Sequence, residues 1–133
     1  PASPEEDLAD YLIKDGRANV SHICSGNTPG AQKARLHYLI IETMPPYALA
    51  DIILETGRHH QIRVQMANLG TPIAGDKKYG STGALSPSDS ASVPLTFRSL
   101  QLFACRLTFH HPRTDELMDF RLDTPINSLE NSL

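Results

Sequence analysis

Between Ala34 and Thr43 apolar residues occupy both parities of the chain: Leu36, Tyr38 and Ile40 on one, Leu39 and Ile41 on the other. A stretch apolar on both faces suits a central strand. Pro45 and Pro46 end it, since proline cannot donate to a sheet ladder, and Met44 to Tyr47 becomes a connection. Ala48 to Glu55 resumes the period of two, with Ala50, Ile52 and Leu54 facing inward as the second arm of a hairpin. The period then changes. Ile62, Met66 and Leu69 fall at i, i+4 and i+7, which predicts a main helix from Arg58 to Leu69 packed on the sheet. Arg63 then lies on the flank of the packed face, along the helix–sheet boundary where clefts form.

Weaker patterns flank this centre. Ser3 suits an N-cap, Pro4 the first helical position and Glu6 the capping-box position, so a short helix is expected with Leu8, Tyr11 and Leu12 on its apolar face. Gly16 ends it. Asn19 to Ile23 reads as a short strand. Residues 81 to 94 hold five serines and two prolines and read as a flexible exposed loop. Leu102 to Phe109 alternates, with Phe103, Cys105, Leu107 and Phe109 on one face, and Leu117 to Leu122 returns after a turn at His110 to Thr114. The fold class is α+β: an antiparallel sheet with one main packed helix, in a single domain spanning 1–133.

Composition narrows the class. A chain of 133 residues with 40% hydrophobic and 20% charged residues is an ordinary globular domain at most. No run of about 18 apolar residues supports a membrane helix, and the N-terminus lacks the basic-then-apolar order of a signal peptide. Cys24 and Cys105 do not make a disulfide framework and read as reduced thiols in a cytoplasmic protein. The net charge of −3 counts against general binding to polyanions. That acid is concentrated at the two ends, whereas residues 56 to 80 carry Arg58, Arg63, Lys77 and Lys78 against Asp76 alone. Phosphate contact follows local charge rather than the total.

The strand-to-helix junction gathers the candidate chemistry. Arg58, His59, His60, Gln61 and Arg63 are seldom placed together without a use. Arg58 is a cation in the first turn, against the helix dipole; it either holds a phosphate or pairs with Asp76 or Glu55. His60 and Gln61 either hydrogen-bond a nucleic-acid backbone or buttress the site, and His59 is taken as surface. Gly75 frees the backbone for positive φ in the turn that follows, and Asp76 caps that turn and orients a nearby basic group. Lys77 and Lys78 are phosphate contacts of the non-specific kind. Tyr79 is equally a core or rim aromatic and a stacking platform. Neither His59-His60 nor His110-His111 has the spacing or companions of a zinc site, so no metal is expected.

Thr56, Gly57, Arg58, His60, Gln61, Ile62 and Arg63, then Gly70, Pro72, Ile73, Gly75, Asp76, Tyr79 and Gly80, match the T-G-R-x-H-Q-I-R … G-x-P-I-x-G-D-x-x-Y-G signature. The chain therefore resembles the RluA-type RNA pseudouridine synthases, and Thr108 to Pro112 is similar to that family's terminal L-x-F-x-H-P hairpin. The resemblance implies conversion of uridine to pseudouridine in structured RNA, ribosomal or transfer, with no cofactor. It implies that Arg63 pairs with a nucleophilic aspartate and that Ile73 closes over the target uracil. It also implies a missing partner. Family members carry the nucleophile in a G-R-L-D-x-x-T-S-G-like segment upstream, and the sole Arg-Leu-Asp here, Arg121 to Asp123, stands near the C-terminus in a different context. The chain starts at Pro1. The expectation is the C-terminal portion of a catalytic domain, partial in fold, inactive alone, and able to self-associate through an exposed sheet edge. A non-catalytic RNA-binding module and a protein-interaction domain are the rival readings.

Overall fold

The computed structural model describes residues 1–80 and 99–123. The serine-rich stretch from 81 to 94 lies outside them. The elements are β1 (Glu5–Asp15), β2 (Val20–Cys24), β3 (Gln32–Met44), β4 (Tyr47–Leu54), α1 (Gln61–Asn68), β5 (Arg106–His110) and β6 (Leu117–Arg121). They fall into two compact units, Pro1–Gln101 and Leu102–Leu133.

The first unit is an antiparallel sheet in the order β2-β1-β3-β4 with α1 packed on it. One core cluster joins Leu12, Ala34 and Val64; the other joins Leu36, Tyr38 and Met66, with Ile40, Ile52, Ile62, Leu69 and Ile73 packed around it. The main hairpin is as the hydrophobic pattern predicts, with Leu36 opposite Leu54 and Tyr38 opposite Ile52. Only one face of it is covered among the described residues. Leu36 is 1% exposed, whereas Ile41 on the opposite parity is 57% exposed. Leu54, expected inward, is exposed at the end of β4, the outer strand of the sheet.

The expected N-terminal helix is instead the strand β1. Leu8 and Leu12 are four residues apart, a spacing that satisfies both a helical and an extended period. Pairing decides between them: Glu5 to Leu12 register antiparallel with Leu39 to Gln32, and Ile40 donates its N–H to the Pro4 carbonyl at 2.8 Å. A helix over these residues would leave the edge of β3 unpaired, a larger loss than the modest stabilisation a capping box provides. Tyr11, placed on the apolar face by the helical reading, lies on the exposed side.

Helix α1 begins at Gln61, three residues later than the periodicity suggests. His60 adopts left-handed backbone angles, φ 53° and ψ 24°, which no helical residue has. The helix stops at Leu69. Gly70 takes φ 89°, and the Thr71 N–H reaches back to the Met66 carbonyl at 3.0 Å, a Schellman closure.

The second unit is the two-stranded hairpin β5–β6, with Arg106 opposite Arg121 and His110 opposite Leu117. Its first strand starts at Arg106 rather than Leu102, and Leu107, Phe109, Leu117 and Phe120 are exposed among the described residues.

The two sides of β3 make a test. Leu36→Ala should lower unfolding free energy by about 2–5 kcal/mol, as buried leucine truncations do. Ile41→Ala should change it by about 0.5 kcal/mol or less, as exposed substitutions do. Urea denaturation followed by far-UV circular dichroism measures both.

Candidate functional site

Three segments meet at one end of α1. They are the β4–α1 junction, the turn from Ile73 to Gly80, and the start of β2. Gln61 ties the junction together from inside. It is buried, its Oε1 accepts from the Arg58 N–H at 2.9 Å and from the Thr56 hydroxyl at 2.8 Å, and its Nε2 donates to the Arg35 carbonyl at 3.0 Å. Gln61 thus buttresses the junction. Arg58 precedes the helix, so the dipole argument against it lapses. Its Nε donates to the Lys33 carbonyl at 2.9 Å, and neither expected carboxylate holds it, since Glu55 pairs with Arg35 at 3.2 Å.

Asp76 organises the turn. Its side chain is 0% exposed, and Arg63 opposite it is 18% exposed. Arg63 binds it in a fork, Nε to Oδ2 and Nη2 to Oδ1, both at 2.8 Å. The Lys78 and Tyr79 amides donate to Oδ1 at 3.0 and 3.1 Å, the turn-capping role expected of this aspartate. Burial pushes the Asp76 carboxyl up, but Arg63 and the two amides outweigh it and hold the carboxyl below its ordinary range. Arg63, in turn, lies over the Tyr79 ring at 5.0 Å from its centre. Gly75 at φ 76° lets the turn form. Gly80 closes it, because a Cβ there would collide with the Asp76 carbonyl oxygen.

Tyr79 is half-buried and packs on the Leu12–Ala34–Val64 cluster. Its hydroxyl accepts the Ser21 N–H at 2.9 Å and meets His60 Nδ1 at 2.8 Å. His59, read from sequence as surface, is instead engaged on both ring nitrogens: Nδ1 with the Ser21 hydroxyl at 2.8 Å and Nε2 with Asn19 Oδ1 at 3.0 Å. The two imidazoles lie 3.8 Å apart, centre to centre. Burial, then Lys14, Lys78 and Arg63, push His59 below the ordinary imidazole value. Burial, His59, Arg63 and Lys78 do the same to His60 against the weaker pull of Asp76. Both shifts favour the neutral imidazole, and the Ser21 hydroxyl that meets His59 Nδ1 also donates to the His59 carbonyl at 2.9 Å.

Of the remaining candidates, Ile73 is half-buried against the Leu36–Tyr38–Met66 cluster. Lys77 is exposed, and Lys78 Nζ donates to the Asn19 carbonyl at 3.0 Å. Ser21 and Asn19 were missed by sequence reasoning. The signal available was Gly16 to Asn19 as a tight turn; Asn19 has φ 50°, a conformation asparagine tolerates.

A family model described as RNA pseudouridylate synthase matches residues 2–68. The chain belongs to the RluA-type RNA pseudouridine synthase family. It is 38% identical over 107 residues to ribosomal large subunit pseudouridine synthase D of Pasteurella multocida strain Pm70, covering 77% of this chain and 32% of that protein. It is 36% identical over 103 residues to the uncharacterized RNA pseudouridine synthase YlyB of Bacillus subtilis strain 168, with 77% and 31% covered. The chain thus spans about a third of the length of these relatives. The solved structure of human RNA pseudouridylate synthase domain containing 1 superposes with a TM-score of 0.60 at 21% identity, over 92% of this chain and 49% of that one, and shows a shared fold.

Three outcomes follow from this geometry. The imidazoles of His59 and His60 should titrate below about pH 6.5 and that of His37 above it, because the Asp7 hydrogen bond outweighs burial there and favours the charged ring. Histidine C2–H shifts against pH read all three. A depressed imidazole contributes stability above about pH 6.5 that is lost as pH falls through its folded value, so His60→Gln should flatten the acid side of the stability curve. Gly80→Ala should lower stability by about 1–3 kcal/mol, as overpacking does, and broaden the Tyr79 ring resonances as the Asp76 turn shifts.

Proposed function

We propose that the protein carrying this chain isomerises uridine to pseudouridine in structured RNA. In that reaction the N1–C1′ glycosidic bond breaks and the uracil rotates. C5 bonds to C1′, and the C5 proton leaves as N1 gains one. Ribosomal RNA is the favoured target, since several of the similar proteins are named ribosomal large subunit pseudouridine synthase D. The observation that carries the reading is Arg63, a guanidinium fixed at the helix flank with Nε and Nη2 committed to Asp76 and no bond from Nη1 among the described residues. That free nitrogen suits an ionised carboxylate supplied by an upstream segment, which a neighbouring guanidinium keeps charged and aimed.

The other candidates take supporting parts. Lys77 and Lys78, exposed on the turn, contact RNA phosphates, as does Arg58 through whatever its Nε bond leaves free. His60 and Gln61 hold the junction. Ile73 offers its uncovered side to the flipped base, whose extrusion costs a few kcal/mol. The outer strand β4 presents an unpaired edge among the described residues, suited to pairing with an upstream strand or, in the isolated chain, with a second copy.

Tritium release from RNA labelled at uracil C5 tests the whole. The isolated 133-residue chain should release none, and turnover by it would refute the upstream-nucleophile reading. In the full-length protein, Arg63→Ala should reduce single-turnover rate by about 10²–10⁴-fold, the scale of a broken buried ion pair, with RNA affinity largely kept. Lys77→Ala should do the reverse: weaker binding, a shallower salt dependence and a near-normal rate at saturation. RNA binding without turnover in the full-length protein would mark a non-catalytic module.

A further inference from the structure

Asp76 takes no part in the chemistry proposed above, yet it is the most completely bonded carboxylate of the described residues. Two bonds come from Arg63 and two from the Lys78 and Tyr79 amides, all between 2.8 and 3.1 Å. A buried ion pair is a poor device for stability alone, because desolvation absorbs most of its attraction. It is a good device for direction. The fork fixes the guanidinium plane by two of its three nitrogens, and the Tyr79 ring lies beneath it. Tyr79 cannot drift, since its hydroxyl is held by Ser21 and His60 and its ring by Leu12, Ala34 and Val64. Gly80, without a side chain, lets the turn draw tight over the Asp76 carbonyl.

From this geometry we infer that Asp76 is a positioning residue: with Tyr79 it presets Arg63, so that Nη1 meets the nucleophilic carboxylate without rearrangement. The inference rests on the role proposed for Arg63 and adds what sets that residue's aim. An arginine held only at its stem would have to give up rotamer freedom at each encounter. Held at its head, it is preorganised, and preorganised charge is the most effective kind in a closed site. The charged and titratable neighbours of the pair are His60 and His59 from the junction, Lys78 and Tyr79 from the turn, and Lys14 from β1 beside His59.

The pH dependence of single-turnover rate in the full-length protein tests the assignment, because a merely structural role would not move it in the required direction. With Asp76→Asn, Arg63 loses its anchor and no longer favours the ionised nucleophile. The rate should fall by about 10²-fold, as misplacement near 1 Å does. The acid limb should move up by about one pH unit, toward the value of an unassisted aspartate. RNA affinity should stay near that of the parent. If Asp76 only neutralised Arg63, its removal would strengthen the remaining positive field, and the limb would move down; a limb that moves down or stays, or a normal rate, overturns the proposal. Asp76→Glu keeps the charge but displaces the fork by one methylene. It should fold, as thermal unfolding would show, and still turn over slowly with a raised limb. Parental behaviour of Asp76→Glu overturns the proposal even if Asp76→Asn fails to fold. Arg63→Ala run alongside separates the two readings. Its normal turnover would refute the role of Arg63 itself, whereas a dead Arg63→Ala beside a parental Asp76→Asn would refute positioning alone.

Discussion

The burial of one carboxylate organises the end of the domain where the chemistry gathers. Asp76 is withdrawn from water completely, and a charge so placed demands compensation from every side. Arg63 comes from the helix, and the Lys78 and Tyr79 amides from the turn itself. Helix and turn are thereby fixed to each other through polar contacts, where the rest of α1 is fixed to the sheet through Val64 and Met66. The apolar contacts place the helix, and the ion pair determines what its flank presents.

The neutral imidazoles belong to the same arrangement. Burial acts first, and Arg63 and Lys78 press positive charge on both rings and Lys14 on His59, so protonation of either ring is disfavoured. Both can then accept as well as donate, which is how His60 shares the Tyr79 hydroxyl and His59 spans Ser21 and Asn19.

The parts of the fold that could be read from sequence are those with a single period. The face of Ile62, Met66 and Leu69 fits one geometry, and the Ala34–Glu55 hairpin, bounded by its two prolines, also appears where expected, except that Leu54 is exposed and only one face of β3 is covered among the described residues. Residues 5–15 were misread because leucines four apart fit two geometries, and the choice lay in a partner strand that begins at Gln32, well beyond the local window. The helix start was misplaced because the left-handed turn at His60 has no propensity signal; the Gln61 side chain and the packing of both imidazoles impose it. Within the site, the signature placed Arg63, His60, Asp76 and Tyr79 in one neighbourhood, and the capping role of Asp76 was legible from turn chemistry. The Arg63–Asp76 fork was not, because pairing across a turn depends on where the helix flank faces. Ser21 and Asn19 had no local pattern at all.

The β1–β2 hairpin holds Tyr79 through a bond that joins residues 58 positions apart, and holds His59 through bonds spanning 38 and 40. Contacts of such sequence separation require large loops to close first, and closure entropy delays them relative to local structure. Helix α1 and the β3–β4 hairpin rest on nearer neighbours and can assemble sooner. Order at the imidazoles thus waits on these long closures, and the environment of the Tyr79 ring, set by Leu12 and Ser21 from the strands and by Arg63 and Val64 from the helix, reports whether the N-terminal strands have docked against the formed helix.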